Sequence, residues 1–336
     1  MKFTVDPWDP SYGSALETIL DPSEVVVNAD VEVAADEWQP VSSPVGEGRG
    51  ETVLFVDGVR RIDARVWVED DAGAVEPGVC ASYAAGVVRT GEKAEIIAAS
   101  VGRGVFSASR AIRPIATKFA SVIYQPHAAG DSSPESLWLA IQDQMGRREV
   151  EMAELARREA PDDALVLIDG PVTNRAHVPR AVGVIKTHAT AYLPPELHRL
   201  VGTLPEGSRT PLFTIGGRGS RHSWYVRLPG GSGAPWSGVV RCECSADMPA
   251  AEAVALAGRV GATIPRYASE PHKDPRAPQN LYPVGGLERE LRRRLGDPEL
   301  LYRALLVSAA AQVSDARPAP VTVERTPTIR SDIRLA

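Results

Sequence analysis

Two segments built alike constrain this fold more than anything else in the chain. They are Thr52-Val53-Leu54-Phe55-Val56-Asp57-Gly58 and Ala164-Leu165-Val166-Leu167-Ile168-Asp169-Gly170, each a continuous apolar run ending in Asp-Gly. Runs of this length, rich in β-branched and aliphatic residues, read as strands buried on both faces. The glycine lets the backbone turn as the chain leaves the sheet, which places each aspartate at the carboxyl end of a central strand. Side chains alternate along a strand, so Val53, Phe55 and Asp57 share a side, as do Leu165, Leu167 and Asp169. If the two strands are neighbours, the carboxylates converge on one divalent cation. Without a cation, like charges at that distance would leave one of them protonated.

The rest of the chain reads as a frame for these strands. At 336 residues, with 43% hydrophobic and 24% charged residues, it can bury a large core as one elaborated domain or two. Residues 1–50, rich in Asp, Glu, Pro and Ser, read as an N-terminal arm with an amphipathic helix over 12–20. Residues 51–313 read as the main domain, and 314–336 as a loosely ordered Pro/Arg-rich tail. Residues 51–69 are expected to form a hairpin of two strands, followed by strands at 80–89 and 94–105. Helical spacing of Leu137, Ile141, Met145, Met152 and Leu155 predicts a helix over 134–158. Further strands are expected at 181–186, 211–215, 224–228 and 239–244, with helices at 195–201, 249–260, 284–295 and 298–313. Meander, helix, strand and then further strands and helices give an α/β fold, a mixed sheet with helices on its faces.

More acids are available to a metal. The 134–158 helix carries Glu149, Glu151 and Glu154 about twenty residues before Asp169. Glu149 and Glu151 diverge by roughly 200° around a helix, so only one can point inward, and Glu149 is preferred. Mg²⁺ and Mn²⁺ favour carboxylate oxygens, and two-metal phosphodiester hydrolysis uses several of them. On a later strand Arg241 and Glu243 share a face, with Cys242 and Cys244 opposite as buried small hydrophobes. Cys242-x-Cys244 has no second pair for zinc, the six histidines show no metal spacing, and there is no Walker-type loop or Ser/Cys nucleophile motif. Three cysteines make no disulfide framework, and the N-terminus lacks a signal peptide's apolar segment, so a reducing cytoplasm is expected. No stretch is long enough for a membrane span. A net charge of −6 argues against indiscriminate adhesion to nucleic acid. Any DNA or RNA would be met by local concentrations: 103–113, Arg147-Arg148, 216–222 or Arg292-Arg293-Arg294.

This order of parts resembles the NurA family, manganese-dependent nucleases with an RNase H-like fold. The matching elements are Asp57-Gly58-Val59-Arg60-Arg61, Arg147-Arg148-Glu149, Leu165-Val166-Leu167-Ile168-Asp169-Gly170 and Val182-Gly183-Val184-Ile185-Lys186. They continue with Trp224-Tyr225-Val226-Arg227-Leu228, Val239-Val240-Arg241-Cys242-Glu243 and Leu281-Tyr282-Pro283, spanning about residues 50 to 297. The resemblance implies an RNase H-like mixed sheet elaborated with extra strands and helices. It implies Asp57, Glu149 and Asp169 as ligands of Mn²⁺ or Mg²⁺, with Lys186 and Tyr225 near the site. It also implies a homodimer acting on DNA ends beside a HerA-type hexameric ATPase, which would thread the strand for an acidic chain.

The chain departs from the family pattern at three places. Val59 and Pro171 stand where the family usually has a serine after Asp-Gly. After Tyr-Pro, where the family often has a His or Asp aimed at the metals, the chain reads Val284-Gly285-Gly286-Leu287-Glu288-Arg289-Glu290. Glu290, or alternatively Glu288, is the candidate replacement. Two readings follow, a metal-dependent deoxyribonuclease and a nuclease-fold subunit without chemistry that binds DNA or regulates a partner ATPase. A third, an actin-like sugar kinase opened by the first Asp-Gly hairpin, needs a duplicated core and an adenosine motif that the second half lacks.

Overall fold

The computed structural model describes residues 21–22, 25–42, 51–117, 121–172, 178, 180–188, 190–217, 219–231 and 234–315. The helix expected at 12–20, the tail beyond 315, His177 and Arg218 lie outside the described residues. Strands β1 (Val53–Glu69), β2 (Val75–Thr90) and β3 (Glu95–Ser107) form an antiparallel meander, and β4 (Ile123–Ala128) lies parallel to β3. Helix α1 (Pro134–Glu159) leads into β5 (Leu165–Asp169) and β6 (Ala181–Ile185). Then come α2 (Pro195–Gly202), β7 (Phe213–Ile215), β8 (Arg221–Arg227), β9 (Val239–Ser245), α3 (Ala250–Thr263), α4 (Tyr282–Arg294) and α5 (Pro298–Asp315).

All these strands belong to one mixed sheet of thirteen, ordered β7-β8-β9-β6-β5-β1-β2-β3-β4 along its length. Strand β5 runs parallel to β1 and β6 parallel to β5, while β9 returns antiparallel beside β6. The two Asp-Gly runs lie at the centre, as their composition predicts, and are adjacent, which meets the condition set for their aspartates to converge. Each is covered on both faces. Val53, Phe55, Leu165 and Leu167 pack with Leu256 and Val260 of α3 and Leu287 and Leu291 of α4. Leu54, Val56, Val166 and Ile168 pack with Ala153 and Ala156 of α1. The mixed α/β class and the helices on both faces agree with the sequence reading. No helix among the described residues is long and apolar enough to cross a membrane.

Ser133 starts α1 as its cap, its hydroxyl accepting the Ser136 N–H, with Pro134 at the first helical position. The first hairpin expectation is corrected. Residues 53–69 are one continuous strand, so Asp57-Gly58 lies mid-strand and the turn comes later, after Glu69. Gly58 serves close packing instead: a Cβ there would sit 2.5 Å from Glu149 Oε1 and 2.8 Å from Met145 Cγ of α1. At Gly170 the expectation stands, because the backbone takes a φ of 103° as β5 ends.

A bulge at residues 62–64 turns Asp63 inward, where it accepts from Tyr124, Ser82 and Arg61. Arg61 also donates to the Gly296 carbonyl, and Arg103 donates to that of Leu295. Two guanidinium groups thus meet the carbonyl end of α4, where a helix favours positive charge. Gly86, paired with Asp57 across β1 and β2, offers no side chain to hold α4 away. A Cβ on it would come within 3.1 Å of Leu287 and 3.2 Å of Leu291.

Candidate metal centre

Strands β1 and β5 pair in register from Val53↔Leu165 to Val56↔Ile168, which brings Asp57 and Asp169 to the next position side by side. Helix α4 lies over this point and adds Glu288. One carboxylate oxygen from each of Asp57, Asp169 and Glu288 lies within 4.8 Å of the other two. Opposite ligands on an octahedral Mg²⁺-sized ion stand about 4.2 Å apart, given bonds of about 2.1 Å. Adjacent ligands stand about 3.0 Å apart and three ligands cannot all be mutually opposite, so the oxygens would have to draw inward to share one ion.

The electrostatic burden of the cluster falls on Asp57. Asp57 is only 6% exposed. Its Oδ1 accepts the Gly58 N–H at 2.7 Å, whereas its Oδ2 is buried with no hydrogen-bond partner. Burial, then the neighbouring charge of Asp169 and that of Glu288, hold the Asp57 carboxyl well above the usual carboxylate range, against the pull of Lys186 and the Gly58 N–H. Lys186, just past β6, donates to Asp169 Oδ2 at 2.7 Å. Arg276 grips Glu288 with two bonds of 2.9 and 2.7 Å. Three carboxylates are thus partly balanced by one ammonium and one guanidinium, and the most deeply buried oxygen has no donor. That donor set is oxygen-only and suits a hard cation such as Mg²⁺ or Mn²⁺.

The other sequence candidates are placed as follows. Glu149 is buried, as its preference over the exposed Glu151 required. It reaches β1 at Gly58 from the α1 face and is not one of the three grouped acids. Lys186 is at the cluster. Tyr225 is not among its contacts: its ring stacks on Phe213 and meets His188 and Trp236, and burial pushes its hydroxyl up to about 12. Its neighbour Trp224 packs in the core under α3 and α4, so Tyr225 points to the opposite face. Glu290 pairs with Arg293 and Arg294, whose hydrogen bonds hold its carboxyl low, and Glu288 takes the place in the cluster. Arg241 and Glu243 pair at 2.6 Å on one face of β9, with Cys242 and Cys244 buried on the other, as their alternation predicts.

The sequence reading missed Arg276, Asp274 and Asn280, which lie in the irregular segment before α4 where no periodicity marks a face. The signal for Glu288 was present: it follows the buried Val284 by one helical turn.

Fold and site together define a mixed α/β protein with three carboxylates gathered where two central parallel strands leave their common register. Comparison with protein-family models and with curated proteins gave no match.

Proposed function

We propose that this protein is a divalent-metal-dependent deoxyribonuclease. The observation that carries the reading is the convergence of Asp57, Asp169 and Glu288 on one point, with a buried, donor-less oxygen on Asp57. The strand order supports an RNase H-like core: an antiparallel β1-β2-β3 meander on one side of β1, and β5 and β6 parallel to it on the other. The resemblance to the NurA family extends the proposal to Mn²⁺ as the favoured ion, to a homodimer, and to a HerA-type hexameric ATPase that supplies the strand.

Asp57, Asp169 and Glu288 would hold the metal. A bound Mn²⁺ or Mg²⁺ supplies charge neutralisation at the phosphodiester and an activated water. The chain's own groups prepare that chemistry. Lys186 keeps Asp169 oriented and holds an ammonium beside the cluster, a charge that would neutralise a phosphate bound there. Arg276 fixes the Glu288 carboxylate with a planar fork. Glu149, across β1, backs the strand at Gly58.

The alternative, a DNA-binding or regulatory subunit without chemistry, is favoured by Tyr225 facing away from the cluster and by Val59 packing in the core where a hydroxyl would stand. Incubation of labelled single- and double-stranded DNA with Mn²⁺ separates the two. The nuclease reading expects cleavage that EDTA stops and that Asp57→Ala reduces by at least about a hundredfold, since changes beyond the ligands alone cost ten- to a hundredfold. Retention of DNA without any cleavage in Mn²⁺ or Mg²⁺ would establish the alternative.

A further inference from the structure

The segment between α3 and α4 ties the two ends of the cluster together. Asn280, fully buried, accepts from Lys186 Nζ at 2.7 Å, and the same ammonium donates to Asp169 Oδ2 at 2.7 Å. The Asn280 amide donates in turn to Asp274 Oδ2 at 2.6 Å. Asp274 Oδ1 accepts the Arg276 backbone N–H at 2.8 Å and lies 3.5 Å from its Nε. Arg276 closes the chain on Glu288. An unbroken series therefore runs Asp169, Lys186, Asn280, Asp274, Arg276, Glu288, in which each carboxylate meets a donor. Gly285 makes room for it, since a Cβ there would stand 3.2 Å from both Asn280 Nδ2 and Asp274 Oδ2.

We propose that Asn280 and Arg276 are positioning residues that set the separation of Asp169 and Glu288, and with it the affinity for a divalent cation. The proposal rests on the metal-centre reading and goes beyond it. Mutual repulsion drives the three carboxylates apart, and only groups anchored elsewhere can hold them at ligand spacing. Arg276 does so with two of roughly four acceptor sites on Glu288, leaving the remainder for an ion. Asn280 does so indirectly, because an ammonium on a four-carbon stem has no fixed direction until a second acceptor orients it.

The test is Mn²⁺ binding to the full chain by calorimetric titration and by the electron paramagnetic resonance of the bound ion, with the melting temperature in EDTA as the check on folding. Arg276→Gln and Asn280→Ala are expected to weaken Mn²⁺ binding by ten- to a hundredfold and to alter the resonance of the bound ion. Arg276→Lys keeps the charge and loses the fork, so its affinity is expected to stay depressed. In a Glu288→Gln background, Arg276→Gln is expected to add nothing, because its effect runs through Glu288. Folded Arg276→Gln and Asn280→Ala proteins that bind Mn²⁺ within twofold of wild type overturn the positioning role while leaving the metal centre intact. Full rescue by Arg276→Lys overturns the role of the fork. A wild-type chain that binds neither Mn²⁺ nor Mg²⁺ removes the metal centre and this proposal with it.

Discussion

A methyl group added at Gly58 would strike the Glu149 carboxylate and the Met145 side chain, with contacts of 2.5 and 2.8 Å. Gly58→Ala is therefore expected to cost about 1–3 kcal/mol, the usual range for overpacking a filled core, read as a lower melting temperature. The same change should weaken Mn²⁺ binding, because β1 must shift one residue from Asp57. An alanine variant of wild-type stability would show that α1 yields freely there. His188 gives a pH signature at the same scale. Burial lowers its imidazole to about 4, with Arg241 and His198 adding repulsion, although its Nε2 meets the Val239 carbonyl. The unfolded chain takes up that proton near its ordinary value of about 6.5. Stability is therefore full above that value and is lost as pH falls from about 6.5 through about 4. His188→Gln should show a smaller fall in melting temperature over that window, and a variant that tracks the wild type would refute the assignment. Individual side chains were legible where alternation or helical spacing fixed their face, as for Asp57, Asp169, Glu149 and Cys242. They were not legible in Asn280 or Arg276, whose places depend on an irregular path, nor in Tyr225, whose expected place came from the resemblance and not from its strand's alternation.

Helix α4 is the element that completes the cluster, and three features seat it. Leu287 and Leu291 are fully buried against β2, Gly86 lets them approach, and Arg61 and Arg103 bind the carbonyls at its end. Leu287→Ala should cost about 2–5 kcal/mol by the ordinary price of a core cavity, measured by denaturant unfolding. It should also weaken Mn²⁺ binding, since Glu288 is the next residue. Unchanged Mn²⁺ affinity in that variant would mean that Arg276 alone places Glu288. Among the strands, the sequence signalled β5 fully: apolar run, aspartate, then a glycine with positive φ. It misled at β1, because Asp57-Gly58 carries the same letters without the turn. The glycine answers to α1 above it, a contact that no local pattern reveals.

For the whole molecule, the class was readable because buried apolar runs interspersed with amphipathic helices demand a sheet covered on both faces, whereas the pairing of β1 with β5 was not, because β2, β3, β4 and α1 separate them in the chain. The charge balance was readable too, but not its distribution. Arg103 is spent on a helix end, and Arg293 and Arg294 are paired with Glu290. Arg147 lines a cavity of about 190 Å³ with His127, Ser136 and Asp143. With a formal charge of −6 and Arg103, Arg293 and Arg294 engaged within the fold, the isolated chain should hold DNA through few phosphates. Its affinity between about 50 and 200 mM salt is expected to fall by less than the roughly thousandfold or more seen when six to ten phosphates are neutralised. Fluorescence anisotropy across that range measures it, and a steeper fall would reveal an extended basic track.

At both extremes the thirteen-stranded sheet narrows to strands of two residues, Val27–Asn28 at one end and Ile115–Ala116 at the other. A stub that short presents too few exposed amide and carbonyl groups to template an incoming chain. Among the described residues, then, neither terminal stub offers a ledge for fibre growth, and the open margin lies instead along β3, whose residues 95–103 pair with β2 alone while β4 covers only 104–107.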